Sequence, residues 1–281
     1  MTQGKALKAA FSMFTIIPLE VDGEDVVALS HKLWMITIVG AFYGLIAGAI
    51  FTFVGMMTSY LVGGVLAFLV VQWLNRFLHF DGLSDLGDGL VCTGTMEKKQ
   101  MAMKDSHIGA GGMGYALMFS LLTIAAYSSI WEPGALFFMV FAAEVLSRLA
   151  MVACASGGST TKEGLGGIFV RNVTGGAVVI AFLLSMVLIA VAIVIPYPTE
   201  LMPFDYVNLL YFAKDSWVIG LPVIMILFGL VAVLIGRLTA RVAMKNFGAV
   251  NGDILGATNE MARALLLVLM LVVTYCLVTL L

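Results

Sequence analysis

Charge is what this sequence has least of. Of 281 residues only 11% are charged, against 61% hydrophobic, and the mean hydropathy is +1.05. Soluble domains carry about a quarter charged residues. A water-solvated globule is therefore excluded, and an integral membrane protein is expected. The 15 Lys and Arg nearly balance the 17 Asp and Glu, so the net charge of −2 selects no class of partner. No basic patch interleaved with aromatics is present, which removes nucleic-acid binding from consideration. Cysteine is scarce as well: Cys92, Cys154 and Cys276 are three in number, without metal-ligand spacing, and read as free thiols. A cleavable leader is not expected, because the apolar run after Lys5 and Lys8 is short and ends at Pro18, before the acidic stretch Glu20 to Asp25. That segment, about 5–18, is too short to span and reads as an interfacial helix.

Long apolar runs fill most of the remainder. A spanning helix needs about 20 apolar residues. Leu33 to Asn75 contains no Asp, Glu, Lys or Arg, enough for two spans with a turn near Thr58 and Ser59. The whole reads as one all-α polytopic membrane domain, residues 1–281, with about seven transmembrane helices. They are expected at about 33–56, 58–77, 112–131, 134–154, 174–195, 217–236 and 264–281. The last also fits a half-buried helix. With the N-terminus in the cytoplasm, every one of the 15 Lys and Arg except Lys214 falls on the cytoplasmic side or at span ends facing it. A multi-pass protein of the cell (inner, cytoplasmic) membrane is the expected setting. The acidic, Gly-rich and Asn251-Gly252-Asp253 segments then share one face, where their loops can form an active site.

The acidic segment, His79-Phe80-Asp81-Gly82-Leu83-Ser84-Asp85-Leu86-Gly87-Asp88-Gly89, sets three carboxylates at i, i+4 and i+7. On a helix they fall within about 60° of one another. Such close carboxylates repel and raise one another's pKa values. No Lys or Arg stands at i+3 or i+4 to relieve them. A hard divalent cation would, and all-oxygen ligands select Mg²⁺, Mn²⁺ or Ca²⁺ over Zn²⁺. Three Asp at the bilayer centre would cost roughly 8–10 kcal/mol on the insertion scale, which puts this helix at the interface or in a hydrated cavity.

Met103-Lys104-Asp105-Ser106-His107 lines up a cation, a carboxylate, a hydroxyl and an imidazole before the third span, where Asp105 or Ser106 could equally cap the helix. The stretch 156–167 lacks P-loop spacing, yet Gly164 and Gly166 let backbone N–H groups approach a phosphate beside Lys162 and Arg171. Asp253 and Glu260, seven apart, share a helical face, and Gly256 between them permits close approach of a neighbouring helix or ligand. Glu144 and Arg148, four apart in the fourth span, suit an ion pair. Metal-suited carboxylates, Gly-rich backbone and cations on one face are the parts of phosphoryl transfer.

These residues resemble the cobalamin synthase family, the adenosylcobinamide-GDP ribazoletransferases. The resemblance rests on Phe14-Thr15 with Pro18, the His79–Gly89 motif, Met103-Lys104-Asp105-Ser106 with Ile108-Gly109, and Ser147-Arg148. Glu163-Gly164-Leu165-Gly166 and Gly252-Asp253-Ile254-Leu255-Gly256-Ala257 with Glu260 complete it, in family order over almost the whole chain. Departures are Ile16, His107, Ala249-Val250-Asn251, and Arg263 in place of a second family Glu.

The resemblance implies a Mg²⁺-dependent transferase for the last joining step of cobalamin biosynthesis. In that step the ribose hydroxyl of α-ribazole, or of its 5′-phosphate, attacks the phosphate attached to cobinamide in adenosylcobinamide-GDP, and GMP leaves. It implies Asp81, Asp85 and Asp88 as metal ligands, with Asp105 a further one or a catalytic group. Lys104 and Lys162 would stabilise the departing or bridging phosphate, and Asp253 would be a general base or second-site ligand. Arg148, Ser106, Gly164, Gly166 and Glu260 would meet substrate. Membrane lipid and other corrinoid-assembly enzymes on the same surface are the further expected partners. The alternatives are a CDP-alcohol phosphotransferase, whose second Asp motif is missing here, and a cation transporter, which would need its acids at the bilayer midplane.

Overall fold

The computed structural model describes residues 2–130, 136–160, 164–194 and 218–280. Among these residues the chain is helical, with no strand. The helices are α1 (Gln3–Phe14), α2 (Gly23–His31), α3 (Ile36–Met57), α4 (Tyr60–Leu74), α5 (Leu78–Val91), α6 (Met96–Ala102), α7 (Ala110–Ser128) and α8 (Leu136–Gly157). They continue with α9 (Leu165–Asn172), α10 (Gly175–Val194), α11 (Val218–Phe247) and α12 (Gly252–Leu280). Six of them, α3 (from Leu33), α7, α8, α10, α11 and α12, are long and apolar enough to cross a membrane. The pair α4 and α5, bent by 93° at the break between them, makes a seventh only if the two are counted together as one broken span.

Helix α8 is the axis of the bundle: 94% of its apolar window is buried, against 33% for the lipid-facing α7, α10 and α11. Gly40, Gly44 and Gly48 lay one bare face of α3 on the backbone or ring atoms of Glu144, Phe141 and Phe137, which brings α3 and α8 together. Alternating passes then bring α5, α6 and α9, the starts of α7 and α12, and the ends of α8 and α11 to one end of the bundle. Lys98, Lys99, Lys104, Arg171, Arg241 and Lys245 lie there too, and it is hereafter the basic end.

The turn between α4 and α5 aims the acidic helix. Gln72 O accepts from Phe77 N at 2.8 Å and Trp73 O from Arg76 N at 3.0 Å. This is the paired-bond helix terminator that usually carries glycine at its left-handed position. Here Arg76 and Phe77 take that conformation, at φ 58° and 57°, which costs of order 1–3 kcal/mol per residue. The Arg76 guanidinium offsets it by donating to Ser12 O at 2.9 Å and Thr15 O at 3.0 Å, around the end of α1 where helix carbonyls lack partners. An α4 of 15 residues is about 22 Å long, short for a hydrocarbon core of about 30 Å. The bend therefore turns α5 across the bundle, and its three acids lie along the basic end.

Several boundaries differ from the sequence reading. The final helix begins at Gly252, and α11 runs on to Phe247. Helix α2 was not anticipated, although Asp22 and Asp25 form its reciprocal capping box. It is tied to α1 by Lys5–Glu24 and Lys8–Asp25, both 2.5 Å. The expected end of the fifth span at 195 and the outlier Lys214 lie outside the described residues.

Candidate active site

Helix α5 is clamped between α7 and α12 by backbone contacts that only glycine allows. A Cβ on Gly82 would stand 2.5 Å from the carbonyl oxygen of Asp253 and 2.8 Å from its Cα. On α12, a Cβ on Gly256 would meet His79 Cα at 3.0 Å. Asp253, in the first turn of α12, is thereby brought beside Asp81 and Asp85. Asn251 holds that turn, accepting from Ile254 N at 3.1 Å and donating to Asp253 Oδ2 at 2.8 Å.

The four acids share one electrostatic environment. Asp85 is half-buried, and its carboxyl is pushed up to about 7, first by desolvation and then by the charges of Asp253, Asp81 and Asp88. Among the described residues no three His, Cys, Asp or Glu side chains are placed to hold one metal ion. That is not at odds with Mg²⁺, which is commonly held by one or two carboxylates together with substrate phosphates. The chemistry of the donor set fits a hard divalent cation, because crowded carboxylates are stabilised by one.

Asp88 has a task the sequence did not disclose. Its Oδ2 accepts from Gly109 N and its Oδ1 from Gly112 N, both at 2.8 Å. It thus caps the first turn of α7 from a different helix, using the N–H groups that every helix start leaves unpaired. A Cβ on Gly109 or Gly112 would run into that carboxylate. Neither Asp105 nor Ser106 is the cap of α7; the helix starts after Gly109. Asp105 is exposed and accepts from His107 N at 2.9 Å, with His107 Nδ1 also at 2.9 Å. Those two contacts hold its carboxyl below the ordinary aspartate range. Lys104 and Ser106 are exposed beside it.

The described ends of the Gly-rich segment pack against the start of α12. Val250 N donates to Ser159 O at 2.9 Å, and Gly166 lies directly on Gly252 and Asn251, next to Asp253. Gly164 adopts φ +104°, a conformation natural to glycine, at the start of α9. Lys162, the cation expected in this loop, lies outside the described residues.

Arg148 and Glu260 are placed differently from a substrate contact. Both are sealed inside the bundle, at 1% and 3% exposure. Arg263 Nε pairs with Glu144 Oε1 and Arg263 Nη1 with Glu260 Oε2, each at 2.5 Å, while Arg148 Nη1 reaches Glu144 Oε2 at 3.3 Å. Asn259 accepts from Arg148, whose guanidinium lies 5.0 Å from the Tyr43 ring centre, and Gln72 donates to Glu260 at 2.7 Å. Two carboxylates face two guanidiniums, so the layer is balanced. Buried charges persist only when paired in this way. A Glu at 263, as the resemblance gives, would set three carboxylates against Arg148.

Residues 6–271 match the family model described as cobalamin-5-phosphate synthase. A relative from Methanocella arvoryzae named adenosylcobinamide-GDP ribazoletransferase is 29% identical over 262 residues, 92% of this chain and 91% of the relative. Relatives of the same name from Thermococcus kodakarensis and Pyrococcus furiosus are 30% and 27% identical. They cover 92% and 94% of this chain, and 95% and 98% of their own lengths. No solved structure matches.

Proposed function

The chain belongs to the cobalamin-5-phosphate synthase family, and from that premise we propose that it joins adenosylcobinamide-GDP to α-ribazole or its 5′-phosphate at the basic end of the bundle, releasing GMP. It is an enzyme of cobalamin biosynthesis. The observation that carries the site assignment is the clamp at Gly82, which brings Asp253 beside Asp81 and Asp85, where burial first and then the neighbouring carboxylates push the Asp85 carboxyl up to about 7.

In the proposed reaction the ribose 3′-hydroxyl oxygen forms a bond to the phosphorus attached to cobinamide. The bond from that phosphorus to the bridging oxygen breaks, and GMP carries the electron pair away. Mg²⁺, when bound, would neutralise the diphosphate; Asp81 and Asp85 are the carboxylates proposed to hold it, and Asp88 is engaged by α7. Asp253 accepts the hydroxyl proton or serves as a further ligand, and its seat in the first turn of α12 keeps it beside Asp85. The exposed Lys104 and the backbone at Gly164 and Gly166 meet the departing phosphate, with Lys162 in the adjoining segment. The basic end is proposed to face the cytoplasm, supported by the concentration of Lys and Arg there.

The test is nucleotide release by purified protein. GMP is expected from adenosylcobinamide-GDP only when α-ribazole or its phosphate is added, and only with Mg²⁺ or Mn²⁺ present. Release of CMP from a CDP-alcohol, with no GMP from the corrinoid, would instead select the lipid-forming alternative.

A further inference from the structure

Beneath the acidic helix, three consecutive inward positions of the α4–α5 bend are polar. Gln72, Asn75 and His79 are 0%, 1% and 1% exposed, and the side chains of Asn75 and His79 make no described hydrogen bond at any of their four nitrogen and oxygen atoms. Gln72 uses its amide nitrogen on Glu260 and leaves Oε1 unpaired. Backbone groups do not supply the missing partners, since the bend's own N–H groups are already matched to Val71, Gln72, Trp73, Asn75 and Phe77 carbonyls. Polar atoms buried this deeply are nearly always hydrogen-bonded, to protein or to ordered water, because a dry one carries its whole desolvation penalty.

The unpaired atoms form a mixed set. Asn75 Nδ2 and one imidazole nitrogen donate; Gln72 Oε1, Asn75 Oδ1 and the other imidazole nitrogen accept. A cation would satisfy the acceptors and be repelled by the donors. Water serves both. His79 Nδ1 and Glu260 Oε1 are 4.0 Å apart, too far for a direct bond and a separation that one water spans.

We infer that Gln72, Asn75, His79 and Glu260 enclose an internal water-binding site that fastens the α4–α5 bend to α12, about one helical turn from Gly82 along α5 and about two from Asp253 along α12. Buried water of this kind makes two to four bonds to otherwise unmatched groups and behaves as part of the structure. Here it joins the segment that aims the acidic helix to the helix that carries Asp253. Arg76 holds the outer side of the same bend, so the turn is tied on both sides.

The test reads stability and density and does not depend on the transferase reading. Asn75→Leu and His79→Phe replace the polar groups by apolar ones of similar size. In a hydrated site each evicts water and orphans the remaining groups, so each lowers the melting temperature of the purified protein by several degrees, while His79→Gln retains most of it. If the pocket is dry, both apolar variants remove an unpaid desolvation penalty and raise the melting temperature, which overturns the inference. A cryo-electron map of the unaltered protein, at a resolution that shows solvent elsewhere, should hold a water peak within hydrogen-bond distance of His79 Nδ1 and Glu260. Direct protein contacts to all five atoms, with no peak, would also overturn it.

Discussion

Asp88 and Asp85 carry the same side chain one helical turn apart and meet different fates. Asp88 lies over the start of α7, and each of its two oxygens accepts from a backbone N–H there. Asp85 faces Asp81 and Asp253 and is left as the crowded carboxyl. The spacing i, i+4, i+7 made the common face legible, but not which neighbour each acid would meet, because that depends on the glycines at 109 and 112 of another helix. A cap lost to alanine typically costs about 0.5–2 kcal/mol. Asp88→Ala should therefore lower the melting temperature by a few degrees and reduce turnover through the displaced Lys104–Gly109 loop. The Mg²⁺ concentration for half-maximal activity should stay as in the unaltered protein. A large rise in that concentration, with stability unchanged, would make Asp88 a ligand instead.

At the scale of elements, the site depends on how closely α5 can approach α12. Gly82→Ala places a methyl group against backbone atoms of Asp253 that cannot rotate away. Misplacement of a reacting group by about 1 Å can cost on the order of 10² in rate, so a loss of that size is expected, together with reduced stability. Gly114→Ala is the control, since nothing lies within 4 Å of a Cβ there and helix propensity favours it. Equal activity of the two variants would remove the clamp from the mechanism. The spanning helices were legible because unbroken apolar runs leave few alternatives. The true start of α12 was not: Asp253 and Glu260 read as one helical face, but the expected span begins at 264, because Asn259, Glu260 and Arg263 are polar and their pairing with Gln72, Glu144 and Arg148 comes from other helices. The left-handed bend at Arg76 and Phe77 was equally hidden, because no glycine marks it.

For the whole molecule, gathering like charges at one end links stability to pH and to cation. Asp85's folded-state carboxyl titrates at about 7, above its ordinary 3.8. The folded form therefore binds the proton more tightly than the unfolded chain does. This contribution is fully present below about pH 4 and is lost as the pH rises through about 7. In chelator, the melting temperature should fall between pH 5 and pH 8, and Mg²⁺ should restore more of it at pH 8 than at pH 5, since only the ionised carboxylates bind metal. Asp85→Asn should flatten both trends. A melting temperature indifferent to Mg²⁺ at pH 8 would separate the acidic cluster from any cation.

The same substitution gives the most direct test of the acidic end as the seat of transfer. GMP release by purified Asp85→Asn should be measured beside the unaltered protein, with retained elution and helical content verifying the fold. Loss of a metal-holding carboxylate removes charge stabilisation worth roughly 3–4 kcal/mol, so turnover should fall by ~10²–10³ or more. The unaltered protein should lose activity in EDTA and regain it with Mg²⁺ or Mn²⁺. Full GMP release by Asp85→Asn in excess chelator would contradict the assignment.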